Sequence, residues 1–176
     1  DQTAYTQVTL FSIEYALSRL WLSWGIQPDF CTGHSAGEII ALAVSEVLSL
    51  ADGLRLIHAR GKLMQALPPG GKMVAVRIDA PSAERLIAPL QDQVSIASVN
   101  GPELVVLSGT GEAVDRIVRN LEKDNITFRH LNVSHAFHSH LMDPMLSEYL
   151  EVVSGITLNQ PQFPVVSCVT GQVIDI

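Results

Sequence analysis

Cys31-Thr32-Gly33-His34-Ser35-Ala36-Gly37-Glu38, followed by the apolar run Ile39 to Val47, is the stretch that decides how this chain is read. Pro28 to Thr32 reads as a short extended piece and Ile39 to Val47 as a buried helix rich in Ala, Ile and Val, so the order is strand, sharp turn, helix. Gly-x-Ser-x-Gly in that setting forms a tight turn that lifts the serine hydroxyl into open space. Glycines are expected on either side because a side chain there would clash. Ser35 is therefore a candidate nucleophile. The Ala36 N–H falls at the start of the next helix, where unsatisfied donors and the helix dipole stabilise an oxyanion.

Working outward, Val8 to Trp24 places Leu10, Phe11, Ile13, Leu17, Leu20, Trp21 and Trp24 at helical spacing, and Gly25 ends the pattern. Ser49 and Asp52 have the spacing of a helix cap, and Leu54 to Met64 continues as a helix until Pro68-Pro69-Gly70-Gly71 breaks it. Met73 to Ile78 then reads as a strand, Ser82 to Leu90 as a helix, and Val94 to Val99 and Leu104 to Ser108 as strands around Asn100-Gly101-Pro102. Glu112 to Lys123 reads as a helix and Ile126 to Val133 as a strand. This β-α-β-β-α-β order is the ferredoxin-like pattern. After it come a helical stretch from Asp143 to about Val153 and an extended segment, Phe163 to Val169, able to rejoin the first sheet. The expected fold is α/β: an incomplete α/β-hydrolase-like core from residues 1–70 and 134–176, with a ferredoxin-like subdomain inserted over 71–133.

The 176 residues are 47% hydrophobic, enough for a buried core, and the net charge of −7 with 11 Lys and Arg excludes a polyanion-binding surface. Nucleic acid is not an expected partner. Cys31 and Cys168 are far apart and belong to no Cys-x-x-Cys pair, which fits a reducing cytoplasm. No apolar stretch reaches a membrane span, so neither membrane nor export is expected. Both ends lack tail-like composition, and the chain reads as a cut from something longer.

A serine hydroxyl needs a base, usually histidine. Of six, His34 adjoins Ser35 but points off another side of the turn, His58 lies on a helix and His130 in a strand, all three reading as packing histidines. His135, His138 and His140 crowd one segment, and spacing alone leaves open which is the base. Alternate histidines also suggest zinc, but no Cys or acidic ligand completes a site, so no metal is expected. Arg60, on the helix beyond the elbow, reads first as a surface or salt-bridged arginine and second as a bidentate clamp for a carboxylate.

Together these residues resemble the acyltransferase domain of type I polyketide synthases, related to the malonyl transacylases of fatty-acid synthesis. The resemblance rests on Asp1-Gln2-Thr3-Ala4-Tyr5, Phe11 to Leu17, Gly33 to Glu38, Ala59-Arg60-Gly61-Lys62-Leu63-Met64-Gln65, Val99-Asn100-Gly101-Pro102 and His135-Ala136-Phe137-His138-Ser139, in order and spacing along nearly the whole chain. It implies that Ser35 carries the acyl group, that His138 is its general base, that the Ala36 amide serves the oxyanion, and that Arg60 pairs with the free carboxylate of a malonyl group. His34, Met64, His135 and Phe137 are then expected near the substrate.

In the same family, His-Ala-Phe-His goes with malonyl and Tyr-Ala-Ser-His with methylmalonyl extenders. Sterically, Phe137 would fill the space an α-methyl needs, a preference of about 1–3 kcal/mol. The implied substrate is malonyl-CoA with no bound cofactor. The implied partners are an acyl carrier protein, whose phosphopantetheine thiol receives the acyl group, and adjoining domains such as a ketosynthase. The family's Gly-Gln-Gly run, which supplies a second oxyanion donor, is expected upstream of Asp1, and the segment that orients the base beyond Ile176. Losing one such donor costs on the order of 100- to 1,000-fold in rate, so the piece alone is expected to be impaired.

A serine hydrolase or thioesterase shares the elbow but adds an acidic triad member; Asp79, Asp92, Asp115 and Asp124 fall in that interval, all with helix or turn roles to fill. A non-catalytic structural piece of a synthase is the remaining alternative.

Overall fold

The computed structural model describes residues 2–175; Asp1, which opens the first of the motif runs, and Ile176, which closes the expected core range, lie outside the described residues. In chain order the elements are α1 (Thr3–Ser23), β1 (Cys31–Thr32), α2 (Ala36–Val44), α3 (Leu50–Ala66), β2 (Gly71–Val76), α4 (Ala80–Ile87), β3 (Val94–Gly101), β4 (Leu104–Thr110), α5 (Gly111–Lys123), β5 (Phe128–His130), α6 (Leu146–Ser154) and β6 (Val165–Val166). Short 3-10 helices occupy Ala88–Leu90 and His140–Met145. No helix among the described residues is long and apolar enough to cross a membrane. The chain divides into two compact units, one of residues 2–63 with 147–175 and one of residues 64–146.

In the first unit β1 and β6 pair in parallel, Cys31 opposite Val165 and Thr32 opposite Val166, with Cys31 N–H donating to the Pro164 carbonyl at 2.8 Å. The Phe163 to Val169 segment thus joins the elbow strand. Behind the pair lies a core of Phe11, Ile40, Val44, Val47, Ile57 and Val165, each under a tenth exposed. Ser49 caps α3 as its spacing predicts: its Oγ accepts from Asp52 N–H at 3.0 Å and donates to Asp52 Oδ2 at 2.8 Å. Downstream, Asn159 and Gln162 donate backbone N–H bonds to the Val47 and Ser45 carbonyls, fastening the returning chain to the end of α2.

α1 departs from its apolar pattern. Its buried residues are Thr3, Gln7 and Phe11, whereas Ile13, Leu17, Trp21 and Trp24 are 53, 49, 51 and 64% exposed. The face turned inward is chosen by close packing rather than by hydrophobicity. A Cβ on Gly53 of α3 would stand 2.8 Å from the Phe11 ring, and one on Gly61 would stand 3.1 Å from Ala4 Cα. The two helices approach at small residues, and α1 can do so only along its Thr3–Gln7–Phe11 line.

In the second unit four strands form an antiparallel sheet in the order β3-β4-β2-β5. Alternation along β2 and β4 sends Val74, Val76, Val105 and Leu107 to one face, where they meet Ala83 of α4 and Val114, Ile117 and Leu121 of α5. Asp79 and Thr110 cap these helices, accepting from Ser82 N–H at 2.8 Å and Ala113 N–H at 3.4 Å. The opposite alternation, Met73, Val106 and Ser108, is also under a tenth exposed.

This unit is wider than the 71–133 expected from the strand pattern. Residues 64–70 and 134–146 belong to it because His135 reaches the Leu67 carbonyl at 2.9 Å and because Gly71 abuts Ala136, whose Cβ a side chain at 71 would meet at 2.5 Å. Both contacts join segments that carry no strand or helix periodicity of their own.

Gly109 faces the backbone of Gln93 so closely that an added Cβ would sit 2.1 Å from its carbonyl oxygen, while Gly101 has only the Leu104 side chain, at 3.9 Å. Gly109→Ala is expected to weaken the β3–β4 ladder by about 1–3 kcal/mol, read as faster amide hydrogen exchange across residues 94–110. Gly101→Ala should leave that exchange unchanged.

Candidate active site

The elbow forms as its sequence requires, with one revision. Ser35 adopts φ 56 and ψ −114, a conformation non-glycine residues rarely hold, which costs about 1–3 kcal/mol and persists only where its surroundings enforce it. Gly33 is part of that enforcement: a Cβ there would lie 2.0 Å from the Gly37 carbonyl oxygen. The steric argument does not extend to Gly37, where a Cβ would meet nothing within 4 Å. Ala36 is the first residue of α2, and the Gly37 and Glu38 N–H groups fold back onto the His34 and Ser35 carbonyls at 2.9 and 3.2 Å. The acidic first-turn residue, Glu38, faces the returning chain, accepting from Cys168 N–H at 3.3 Å and from the Cys168 thiol at 3.2 Å.

Arg60 reaches this turn from the third turn of α3. Its Nη2 donates to Ser35 Oγ at 2.8 Å and its Nη1 to Gln7 Oε1 at 2.7 Å. Burial lowers the guanidinium's pKa from its ordinary value, and the neighbouring Tyr149 hydroxyl opposes that shift. Burial likewise raises the Tyr149 pKa against the pull of Arg60. Among the described residues the ion pairs are Arg19–Glu46 and Lys72–Asp115, so no carboxylate neutralises Arg60. A guanidinium stays protonated even so. The result is a fixed cation donating to the serine oxygen while the hydroxyl proton remains for transfer.

The histidine-rich segment lies in the second unit, and its members differ. His135 is 4% exposed, with Nε2 at 2.9 Å from the Leu67 carbonyl and Nδ1 at 3.0 Å from Ser134 Oγ, so both ring nitrogens are engaged in holding the loop. His138 is exposed and has φ 57, a second non-glycine residue in the left-handed region. Phe137 is half-buried, its ring centroid 6.1 Å from that of His135. His140 is half-buried on the 3-10 helix, and Met64, at the end of α3, is 6% exposed. His34 and His58 are exposed, and His130 meets Phe128 edge-on at 5.7 Å.

The structure thus gathers Ser35, Ala36 and Arg60 within one unit and leaves His135, Phe137, His138 and Met64 to the other. It adds residues that the sequence pattern did not single out. Gln7 is a polar side chain on the buried line of α1, and a polar residue spaced i, i+4 with Phe11 was the available signal. Tyr149 and Cys168, far along the chain, gave none.

The sequence profile of the acyl transferase domain family matches residues 1–174. Mycoketide-CoA synthase of Mycobacterium tuberculosis is 49% identical over 173 residues, which is 98% of this chain but 4% of that protein. The acyltransferase domain from the second module of the salinomycin polyketide synthase superposes with a TM-score of 0.97 at 48% identity, covering 100% of this chain and 42% of that one. FabD from Acinetobacter baumannii gives 0.92 at 32% identity, covering 99% and 58%. With an α/β fold shared along its whole length and the family profile spanning nearly every residue, the chain belongs to the acyl transferase domain family, in the form carried by type I polyketide synthases.

Proposed function

We propose that this domain transfers a malonyl group from malonyl-CoA, through an acyl-serine at Ser35, to the phosphopantetheine thiol of an acyl carrier protein. The observation that carries the reading is the Arg60–Ser35 contact. A guanidinium held 2.8 Å from the serine oxygen, fixed on its other side by Gln7 and lacking a carboxylate partner among the described residues, suits an acyl group that brings its own carboxylate. Binding that carboxylate also orients the thioester carbonyl for attack, which converts binding into rate. A neutral ester has no use for this cation, and the hydrolase reading loses ground accordingly.

In the first step Ser35 Oγ attacks the thioester carbonyl while His138 takes the hydroxyl proton. The Ala36 N–H receives the oxyanion, and the carbon–sulfur bond breaks to release CoA with that proton. In the second, the carrier's thiol gives its proton to the base and attacks the acyl-serine, so that the malonyl thioester forms and Ser35 recovers its proton. The base role is assigned to His138 on its place in the His135-Ala136-Phe137-His138 motif, supported by its exposure and strained backbone; the buried, doubly bonded His135 is read as holding the loop that carries it. Phe137 is read as the residue that disfavours an α-methyl. His34 and Met64 are assigned to the substrate's surroundings on the resemblance alone.

The strand–turn–helix of β1 and α2 supports an α/β-hydrolase-like core, and the β3-β4-β2-β5 order with two covering helices supports a ferredoxin-like subdomain. The carrier protein, a neighbouring ketosynthase and a cytoplasmic setting belong to the same proposal.

In the full-length protein, Ser35→Ala is expected to abolish covalent labelling by radiolabelled malonyl-CoA; persistent label would overturn the nucleophile assignment. Arg60→Ala is expected to lose malonyl transfer while gaining acetyl transfer, and equal malonyl rates would remove the clamp. Phe137→Ser should raise the kcat/KM ratio of methylmalonyl-CoA to malonyl-CoA about tenfold. Product analysis with and without carrier protein separates transfer from hydrolysis.

A further inference from the structure

The strained Ser35 backbone has a second brace, on the side away from Arg60. β6 ends in a tight turn, in which Gly171 N–H donates to the Ser167 carbonyl and Ser167 N–H to the Gln172 carbonyl, both at 2.9 Å. That turn presents Cys168 to the first turn of α2. Glu38 holds residue 168 at two points: Oε1 accepts from its backbone N–H at 3.3 Å and Oε2 accepts from its thiol at 3.2 Å. Glu38 in turn reaches the serine's own backbone, its N–H donating to the Ser35 carbonyl at 3.2 Å. Partial desolvation pushes the thiol pKa up, the Ser35 backbone N–H works against that, and the Glu38 carboxylate raises it further, which keeps the proton on sulfur where Glu38 can receive it. Cys168 is therefore tied through Glu38 to the backbone of Ser35, donating to that carboxylate from both its amide and its thiol.

We propose that Glu38 and Cys168 are positioning residues for the transfer reaction, a two-point latch that fixes the Ser35 backbone and thereby the direction of its hydroxyl. The inference rests on the reading of Ser35 as the acyl-carrying nucleophile. The latch is well placed for the task. Arg60, itself held by Gln7, bonds to the serine at its side-chain end, and the latch acts on its backbone through Glu38, whose N–H is bonded to the Ser35 carbonyl. Glu38 lies three residues on from Ser35 in the first turn of α2, and Cys168 sits in the turn that ends β6, so the latch ties the helix that starts at the elbow to the strand that pairs with the elbow strand. The chemistry required at position 168 is a side-chain donor toward Glu38, which a hydroxyl supplies as well as a thiol and a methyl does not. At Glu38 the requirement is two acceptors at once. A glutamine offers one acceptor and turns its NH2 toward the other donor.

The test is single-turnover acylation and steady-state transfer from malonyl-CoA to the carrier protein, in the full-length protein, for Cys168→Ser, Cys168→Ala and Glu38→Gln. Cys168→Ala and Glu38→Gln are expected to slow acylation about tenfold, with the malonyl-CoA KM within about twofold because the Arg60 contact is intact. Cys168→Ser is expected to retain the parent rate. Hydrogen exchange over residues 31–44 checks that the elbow strand and α2 remain folded in each variant. Parent rates in Cys168→Ala and Glu38→Gln would overturn the latch. So would equal losses in Cys168→Ser and Cys168→Ala, or a loss confined to KM. Ser35→Ala, run alongside, separates the two levels: label surviving in that variant overturns the nucleophile reading itself, whereas label lost there with unchanged latch variants overturns only the latch.

Discussion

Everything in the first unit depends on one close approach, that of Gly33 to the Gly37 carbonyl. An L side chain at 33 would occupy the same space as that oxygen, so the chain can reverse from strand to helix in so few residues only with hydrogen there. The reversal holds Ser35 at a positive φ. Such a conformation persists only where neighbours over-determine it. Arg60 on α3 bonds to the serine oxygen and is itself held by Gln7 on α1, while Glu38, in the turn that follows the serine, is bonded to Cys168 beyond β6. The serine's geometry is thus a property of the whole unit rather than of the five-residue motif.

Arg60 shows how electrostatics can be held in reserve. A guanidinium taken out of water without an anionic partner is unfavourable, and among the described residues no carboxylate relieves it. Gln7 and Ser35 offer neutral oxygens instead, which orient the fork without cancelling its charge. The same residues that lower the energy of the resting site therefore leave an incoming carboxylate something to gain.

The existence and type of most elements were legible from periodicity and caps: the Ser49–Asp52 box, the alternation in β2 and β4, and the helix of Glu112 to Lys123 all correspond to structure. Three things were not. The inward face of α1 was misleading, because small residues at Gly53 and Gly61 decide where that helix docks, and no hydrophobicity pattern on α1 encodes them. Gly37 invites the same steric explanation as Gly33, yet its surroundings are open. The partners of Ser35 lie 25 residues away through Arg60, whose own link to Gln7 spans 53, and the Glu38–Cys168 contact spans 130. Contacts of that range have no local signature, and the clamp reading of Arg60 moved ahead of the surface reading only through a family resemblance.

The order of the chain also sets a clock. β1 finds its parallel partner only in β6, and Thr32 bonds to Val166 across 134 residues, with the whole antiparallel unit intervening. At a synthesis rate of about 5–20 residues per second, the elbow strand waits roughly 7–27 s on the ribosome before its partner has been made. During that interval the self-contained sheet of residues 64–146 can already close, since its strands need nothing outside their own stretch. The turn that carries Ser35 can therefore set only after the intervening unit has been made, although its own residues precede that unit in the chain.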